Sequence, residues 1–246
     1  MTQSAEAWTL LGQPKTGGIL LIADHASNFV PSDLDLGIEP HCLDLHIAVD
    51  LGVAEVADLL VASEQVDAAI LSGVSRLVID CNREEDAEGL IPLSSDGVLI
   101  AGNDLTPAQR QQRVERFFAP YHQKIADVIA QHRPSMILSL HSFTDQLASD
   151  PDQERPWHVG ILYNQDDRLA DVSIAALEEE GLRVGNQLPY SGKILNATMN
   201  RHAEANGIAY IGLELRQDLL QDAASHRLWA ERLGRMIAKA KLKIAP

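Results

Sequence analysis

Two histidines, His25 and His141, each close an apolar run of the chain: GILLIADHASN from position 18 and MILSLHSF from position 136. A third run, IAYIGLELRQD from 208, carries Glu214 and Arg216, and a fourth, SRLVIDCNR over 75–83, ends in Asp80, Asn82 and Arg83. A short apolar run that stops in a polar cluster reads as a buried strand whose carboxyl end opens into a site. If such strands are mostly parallel, ligands bind in the crevice beyond those ends, so His25, Asn82, Arg83, His141 and Glu214 are expected to meet there. Two imidazoles and a carboxylate match the inventory of a catalytic zinc hydrolase, in which three protein ligands leave a fourth position for water. A carboxylate that is not a ligand takes the water proton, and a cation fixes the substrate and the developing oxyanion. His25 and His141 suit the first role, Glu214 the second and Arg83 the third.

The elements that must hold these residues alternate between strand and helix. Strands are predicted over 19–23, 66–71, 75–83, 136–140, 159–163, 183–188 and the run that holds Glu214. Roughly helical apolar spacing predicts helices over 42–61, with Asp44, His46 and Asp50 near its start, and over 169–181, 197–206 and 222–243. Thr106 before Pro107 is a plausible N-cap for a helix running to His132, with a break at Pro120. Residues 1–12 read as a peripheral arm, and 84–102 and 144–156 as surface loops, the first an excursion over the site. The alternation predicts an α/β single domain over 1–246, without an internal repeat or linker.

Composition bounds what the site can serve. The 246 residues are 46% hydrophobic, enough for a sizeable core in one domain. Twenty Lys plus Arg against 35 Asp plus Glu give a net charge of -15, which argues against nucleic-acid or anionic-membrane binding. An acidic surface offers no general attraction to a small anionic substrate, so local arginines must hold one. Cys42 and Cys81 fall on different predicted elements and read as free thiols in a reducing compartment. With no signal-like start and no run of transmembrane length, the expectation is a cytoplasmic protein, monomeric or homodimeric.

Several candidates have plainer readings. Arg76 and Asp80 share strand parity and suit an ion pair, Glu214 could pair with Arg83 or Arg216, and Cys81 suits the core better than a nucleophilic role. Tyr190 and Ser191, in a turn that Pro189 and Gly192 suffice to explain, remain substrate-binding candidates. A small dicarboxylate-binding protein without turnover, and a metal-free hydrolase using Cys81, are the rival readings.

Eight blocks in order, DHASNFVP, DLHIAVDLG, SRLVIDCNRE, SDGVLIAGN, PYH, LSLHSF, PYSG and LELRQDL, resemble the N-formylglutamate amidohydrolase family over about residues 18–220. The resemblance implies a three-layer α/β/α fold with a mixed, mostly parallel sheet, similar to zinc carboxypeptidases and aspartoacylases. It also implies one Zn²⁺ and release of formate from N-formyl-L-glutamate, or hydrolysis of another N-acyl amino acid or small peptide. Asn82 and Arg83 match a pair that holds a substrate carboxylate, with Arg76 or Arg216 open for a second, and Glu214 matches the general base. Carboxypeptidases take two ligands from His-x-x-Glu, whereas here Asn28 stands three residues after His25. The third ligand is then Asn28, or else Asp24, His46 or a water.

Overall fold

The computed structural model describes residues 6–244. Its centre is a seven-stranded sheet of β1 (Trp8–Gly12), β2 (Ile19–Ala23), β3 (Ala68–Ser72), β6 (Met136–Phe143), β7 (Val159–Leu162), β8 (Val184–Asn186) and β9 (Ala209–Arg216), ordered β1-β3-β2-β6-β9-β7-β8. The four consecutive strands β3, β2, β6 and β9 run parallel; β1 is antiparallel to β3, and β7 is antiparallel to β9. The short strands β4 (Ser94–Ser95) and β5 (Val98–Leu99) form a separate hairpin.

Helices α1 (Val53–Ala62), α4 (Ala170–Glu178) and α6 (Ala223–Ile244) pack together on one face, and α2 (Pro107–Arg113), α3 (Ala119–His132) and the short α5 (Ala197–His202) occupy the other. The fold is therefore α/β with a mixed, mostly parallel sheet, as expected. Alternation along each strand supplies both cores: Ile19, Leu21 and Ala23 face the first, and Leu20 and Ile22 the second. The same parity sends Ile137, Ser139 and His141 to the second face, together with Tyr210, Gly212 and Glu214 of β9. No helix among the described residues is long and apolar enough to cross a membrane.

Four expectations are corrected. Residues 75–83 form no strand. The amides of Val78 and Ile79 turn back to the Ser75 carbonyl, and the carbonyls of Leu77 and Val78 are taken by the side chains of Asn103 and Arg113. Side-chain partners thus replace a sheet ladder, while Leu77, Val78 and Ile79 stay wholly buried. The helix expected over 42–61 begins only at Val53, because Gly52 at its N-cap has φ +79°. A Cβ there would lie 2.7 Å from the Leu220 Cβ, so backbone conformation and space both require glycine. The arm over 1–12 includes edge strand β1 from Trp8 onward; residues 1–5 of it lie outside the described residues.

Thr106 caps α2 in a capping box with Gln109. Pro120 does not interrupt the helix: a π-helical turn over Val114–Phe118, with the Ala119 amide bonded to the Val114 carbonyl, joins α2 to α3.

Candidate metal centre and active site

β2 ends at Ala23 and delivers Asp24 and His25; β6, its parallel neighbour, delivers His141 near its own carboxyl end. The two rings are 4.9 Å apart between centroids and nearly fully buried. Their Nδ1 atoms approach the same oxygen, Asp50 Oδ2, at 3.3 Å from His25 and 2.9 Å from His141. Asp50 sits in the turn before α1, its amide bonded to the His25 carbonyl and its Oδ2 also accepting from the Ser142 amide.

Each ring is steadied from behind. His25 Nε2 lies 2.7 Å from Asp80 Oδ1, and His141 Nε2 meets the Ser139 hydroxyl at 3.2 Å with the Asp24 carboxylate 3.4 Å away. A carboxylate behind each imidazole fixes its orientation and raises its basicity, the arrangement that supports histidines on a metal. His25, Asp50 and His141 can offer ligand atoms all within 4.8 Å of one another. Two nitrogens and one carboxylate oxygen, buried and backed in this way, fit a divalent metal of the zinc type.

The electrostatics favour cation capture. Burial opposes charge on both rings, yet Asp80 and Asp50 raise the His25 pKa, and Asp24, Asp50 and Glu214 raise that of His141 well above the ordinary value. The carboxylates that draw a proton onto each ring would equally attract a metal, so metal and protons compete. Arg76 spans the cluster, donating to Asp50 Oδ1 at 3.2 Å and Asp80 Oδ2 at 3.1 Å. For Asp50 and Asp80, burial is outweighed by the histidines and Arg76, and both are held below the usual carboxylate range.

Glu214 is the direct neighbour of His141, paired with it in register across β6 and β9. It is 9% exposed, and its Oε2 has no hydrogen-bond partner among the described residues. Burial, helped by Asp50 and opposed by His141, Arg76 and His25, pushes its pKa up to about 7. A carboxylate tuned near neutrality beside a cluster that could hold a metal has the property required of a general acid and base.

These groups line one cavity of about 140 Å³, which also reaches Asn82, Arg83, Tyr190 and the apolar side chains Phe143, Leu162, Leu195 and Leu213. Other sequence candidates lie elsewhere. Asn28 is exposed, its amide donating to Asp44, and it is not in the cluster; Asp50 is the carboxylate that completes it. Asp24 stands behind His141 and receives the hydroxyls of Tyr121 and Thr198. His46 lines the cavity but faces Asp96 at 3.0 Å, and Asp96 in turn accepts the amides of Ala148 and Ser149. Arg216 is paired with Asp218 at 2.7 Å, and the Ser191 hydroxyl accepts the Lys193 amide; neither lines the cavity. Arg155, missed in the sequence, donates to the Tyr190 hydroxyl at 3.1 Å. Cys81 is fully buried, and burial with Asp24 and Asp80 raises its pKa well above the ordinary value, so it is a poor nucleophile.

Behind Asn82 lies a second histidine pair. His122 Nε2 donates to the Cys81 carbonyl at 3.0 Å, which leaves its Nδ1 to accept from His202 Nε2 at 2.9 Å. A proton added to His122 Nδ1 would face another proton. Burial above all, with the nearby Arg201 guanidinium and, for His122, the facing His202 ring, outweighs Asp24 and pushes the two pKa values down to about 3 and about 4. The folded pair therefore stays neutral while the unfolded chain binds protons below its ordinary histidine pKa of about 6.5. Stability conferred by the pair is present above that value and lost as pH falls toward the folded values. Urea unfolding should show a loss approaching about 2.7 kcal/mol per pH unit at its steepest, and a variant replacing both histidines should lose this slope.

The chain matches the model of the N-formylglutamate amidohydrolase family over residues 17–221. A crystal structure of a gene product from Agrobacterium tumefaciens is similar at 30% identity and a TM-score of 0.90, covering 97% of this chain and 96% of that one. The N-formylglutamate amidohydrolase from Ralstonia eutropha JMP134 shares the fold at 18% identity and a TM-score of 0.72, with 96% of each chain covered. Among curated proteins none matches the sequence. With its family model matched over most of its length and its fold shared, the chain belongs to the N-formylglutamate amidohydrolase family and is a hydrolase of amide bonds.

Proposed function

We propose that this enzyme is a metal-dependent amidohydrolase that cleaves the N-formyl amide of an acidic amino acid, N-formyl-L-glutamate foremost, giving formate and the free amino acid. The observation that carries this reading is the unpartnered, buried Oε2 of Glu214 in the same small cavity as His25, Asp50 and His141. Those three residues would hold a zinc ion. When bound, the ion supplies Lewis acidity for the acyl oxygen and lowers the pKa of water.

The chain's own residues do the rest. Asn82 Oδ1 accepts the Thr198 amide, which leaves its Nδ2 free to donate to a substrate carboxylate beside the Arg83 guanidinium. Glu214 takes the proton of the attacking water on its free carboxylate oxygen and returns it to the departing amine nitrogen. Arg76 holds Asp50 and Asp80 in place from the same side. The cavity volume suits a molecule of amino-acid size, and its apolar wall of Phe143, Leu162, Leu195 and Leu213 favours a second reading in which the preferred N-acyl amino acid has an uncharged side chain.

Formate release from N-formyl-L-glutamate, measured beside the metal content of the purified protein, tests the proposal. Activity that disappears on chelation and returns with Zn²⁺ is expected. Bound metal without formate release would overturn the substrate, and release indifferent to chelation would overturn the metal.

A further inference from the structure

Arg155 is 6% exposed, yet it has no carboxylate partner among the described residues. Its Nε donates to the Gln153 side chain at 3.0 Å, and its Nη1 donates to the Thr144 carbonyl and the Tyr190 hydroxyl, each at 3.1 Å. All three acceptors are neutral, so the guanidinium charge is not cancelled. Its carbon stands 5.0 Å from the centre of the Tyr190 ring and 5.9 Å from that of Phe143. A buried cation without a counterion opposes folding, and proteins ordinarily pair such a charge. Thr144, Phe143 and Tyr190 all line the active-site cavity, so this charge lies one side chain behind its wall.

The cavity's other cations are committed. Arg76 is bound to Asp50 and Asp80, Arg83 lies 3.5 Å from Asp80 and beside Asn82 where the proposed reading places one substrate carboxylate, and Arg216, outside the cavity, is paired with Asp218. A dicarboxylic substrate therefore needs one further positive region. The Tyr190 oxygen accepts from Arg155, which keeps its own proton available for donation.

On the footing of the proposed N-acyl amino acid hydrolysis, we infer that Arg155 is a positioning residue for specificity. It holds the Tyr190 hydroxyl as donor to the side-chain carboxylate of the substrate and supplies the countercharge behind it. The unbalanced charge is neutralised when a dicarboxylic N-acyl amino acid binds, and an isostere with an uncharged side chain leaves it unbalanced.

The test compares N-formyl-L-glutamate with N-formyl-L-glutamine, of the same shape but with an uncharged side chain, on the zinc-loaded protein and on Arg155→Gln, Arg155→Lys and Tyr190→Phe. The unmodified enzyme should prefer the glutamate derivative. Arg155→Gln and Tyr190→Phe should each raise KM for it on the order of ten- to a hundredfold, as expected when a charge-assisted contact is lost. Its kcat should change far less, the preference over the glutamine derivative should shrink by the same factor, and Arg155→Lys should restore part of it. Tyr190→Phe removes one oxygen and keeps the ring, so it decides the matter even if Arg155→Gln fails to fold. An unaltered preference in these variants, or an equal fall in kcat for both substrates, would overturn the inference. If the unmodified enzyme cleaves both substrates equally well, the hydrolase reading stands and the role of Arg155 falls; if it cleaves neither, the hydrolase reading fails and takes this inference with it.

Discussion

Glu214→Gln should lower kcat on the order of a hundred- to ten-thousandfold, the range typical for loss of a positioned general base, while zinc content and the fold remain. The amide has nearly the same shape, but its two polar groups can no longer take a proton from water at neutral pH. Glu214 adds no ligand to the His25, Asp50 and His141 cluster, so metal stoichiometry should be preserved. The pH profile gives a separate reading of the same residue. Because the base form is required and burial pushes the Glu214 pKa up to about 7 without a metal ion beside it, activity should rise with pH across an acid limb. Zinc at the adjacent cluster would move that limb downward, since a nearby cation favours the carboxylate. Stopped-flow or steady-state kinetics with metal analysis settle the matter. A variant that turns over at the unmodified rate removes Glu214 from the chemistry.

Asp50→Asn should be nearly as damaging for a different reason. One carboxylate oxygen receives both imidazole nitrogens and the Ser142 amide, while the other receives Arg76. The amide keeps the shape and removes the negative charge, making a poor ligand beside a guanidinium. Replacing partners behind metal ligands commonly lowers affinity about ten- to a hundredfold, so loss of a ligand itself should reach on the order of a hundredfold or more. Titration with Zn²⁺ at fixed pH measures it. Asn28→Ala is the matching control: exposed and tied to Asp44, it should leave zinc stoichiometry as it was. Equal zinc affinity in Asp50→Asn and the unmodified protein would remove Asp50 from the metal site.

The strands that carry His25, His141 and Glu214 were legible because each is an apolar run ending in polar residues, a pattern burial on both faces imposes on parallel strands. The same pattern misled at 75–83. Leu77, Val78 and Ile79 are consecutive and buried, but Asn103 and Arg113 satisfy carbonyls that a sheet would otherwise satisfy, and those partners are remote in sequence. Asn28 drew attention through the His-x-x-Glu spacing of the carboxypeptidases, yet the chain supplies its carboxylate 25 residues after His25, from the turn ahead of α1. A signal for it existed: Asp50 lies between Val49 and Leu51, just before a glycine whose left-handed backbone opens the helix. Arg155 had none. It stands in a polar stretch resembling any surface loop, and only the folded chain shows that it is buried and lacks an acid among the described residues.

The residues proposed for bond cleavage and those proposed for choosing among substrates belong to different parts of the architecture. His141 and Glu214 are anchored in adjacent strands, His25 follows directly on β2 and Asp50 sits in the turn before α1, whereas Arg155 and Tyr190 come from the connections flanking β7 and β8. Descendants of such a scaffold could exchange those peripheral segments and acquire new preferences while inheriting the reaction intact.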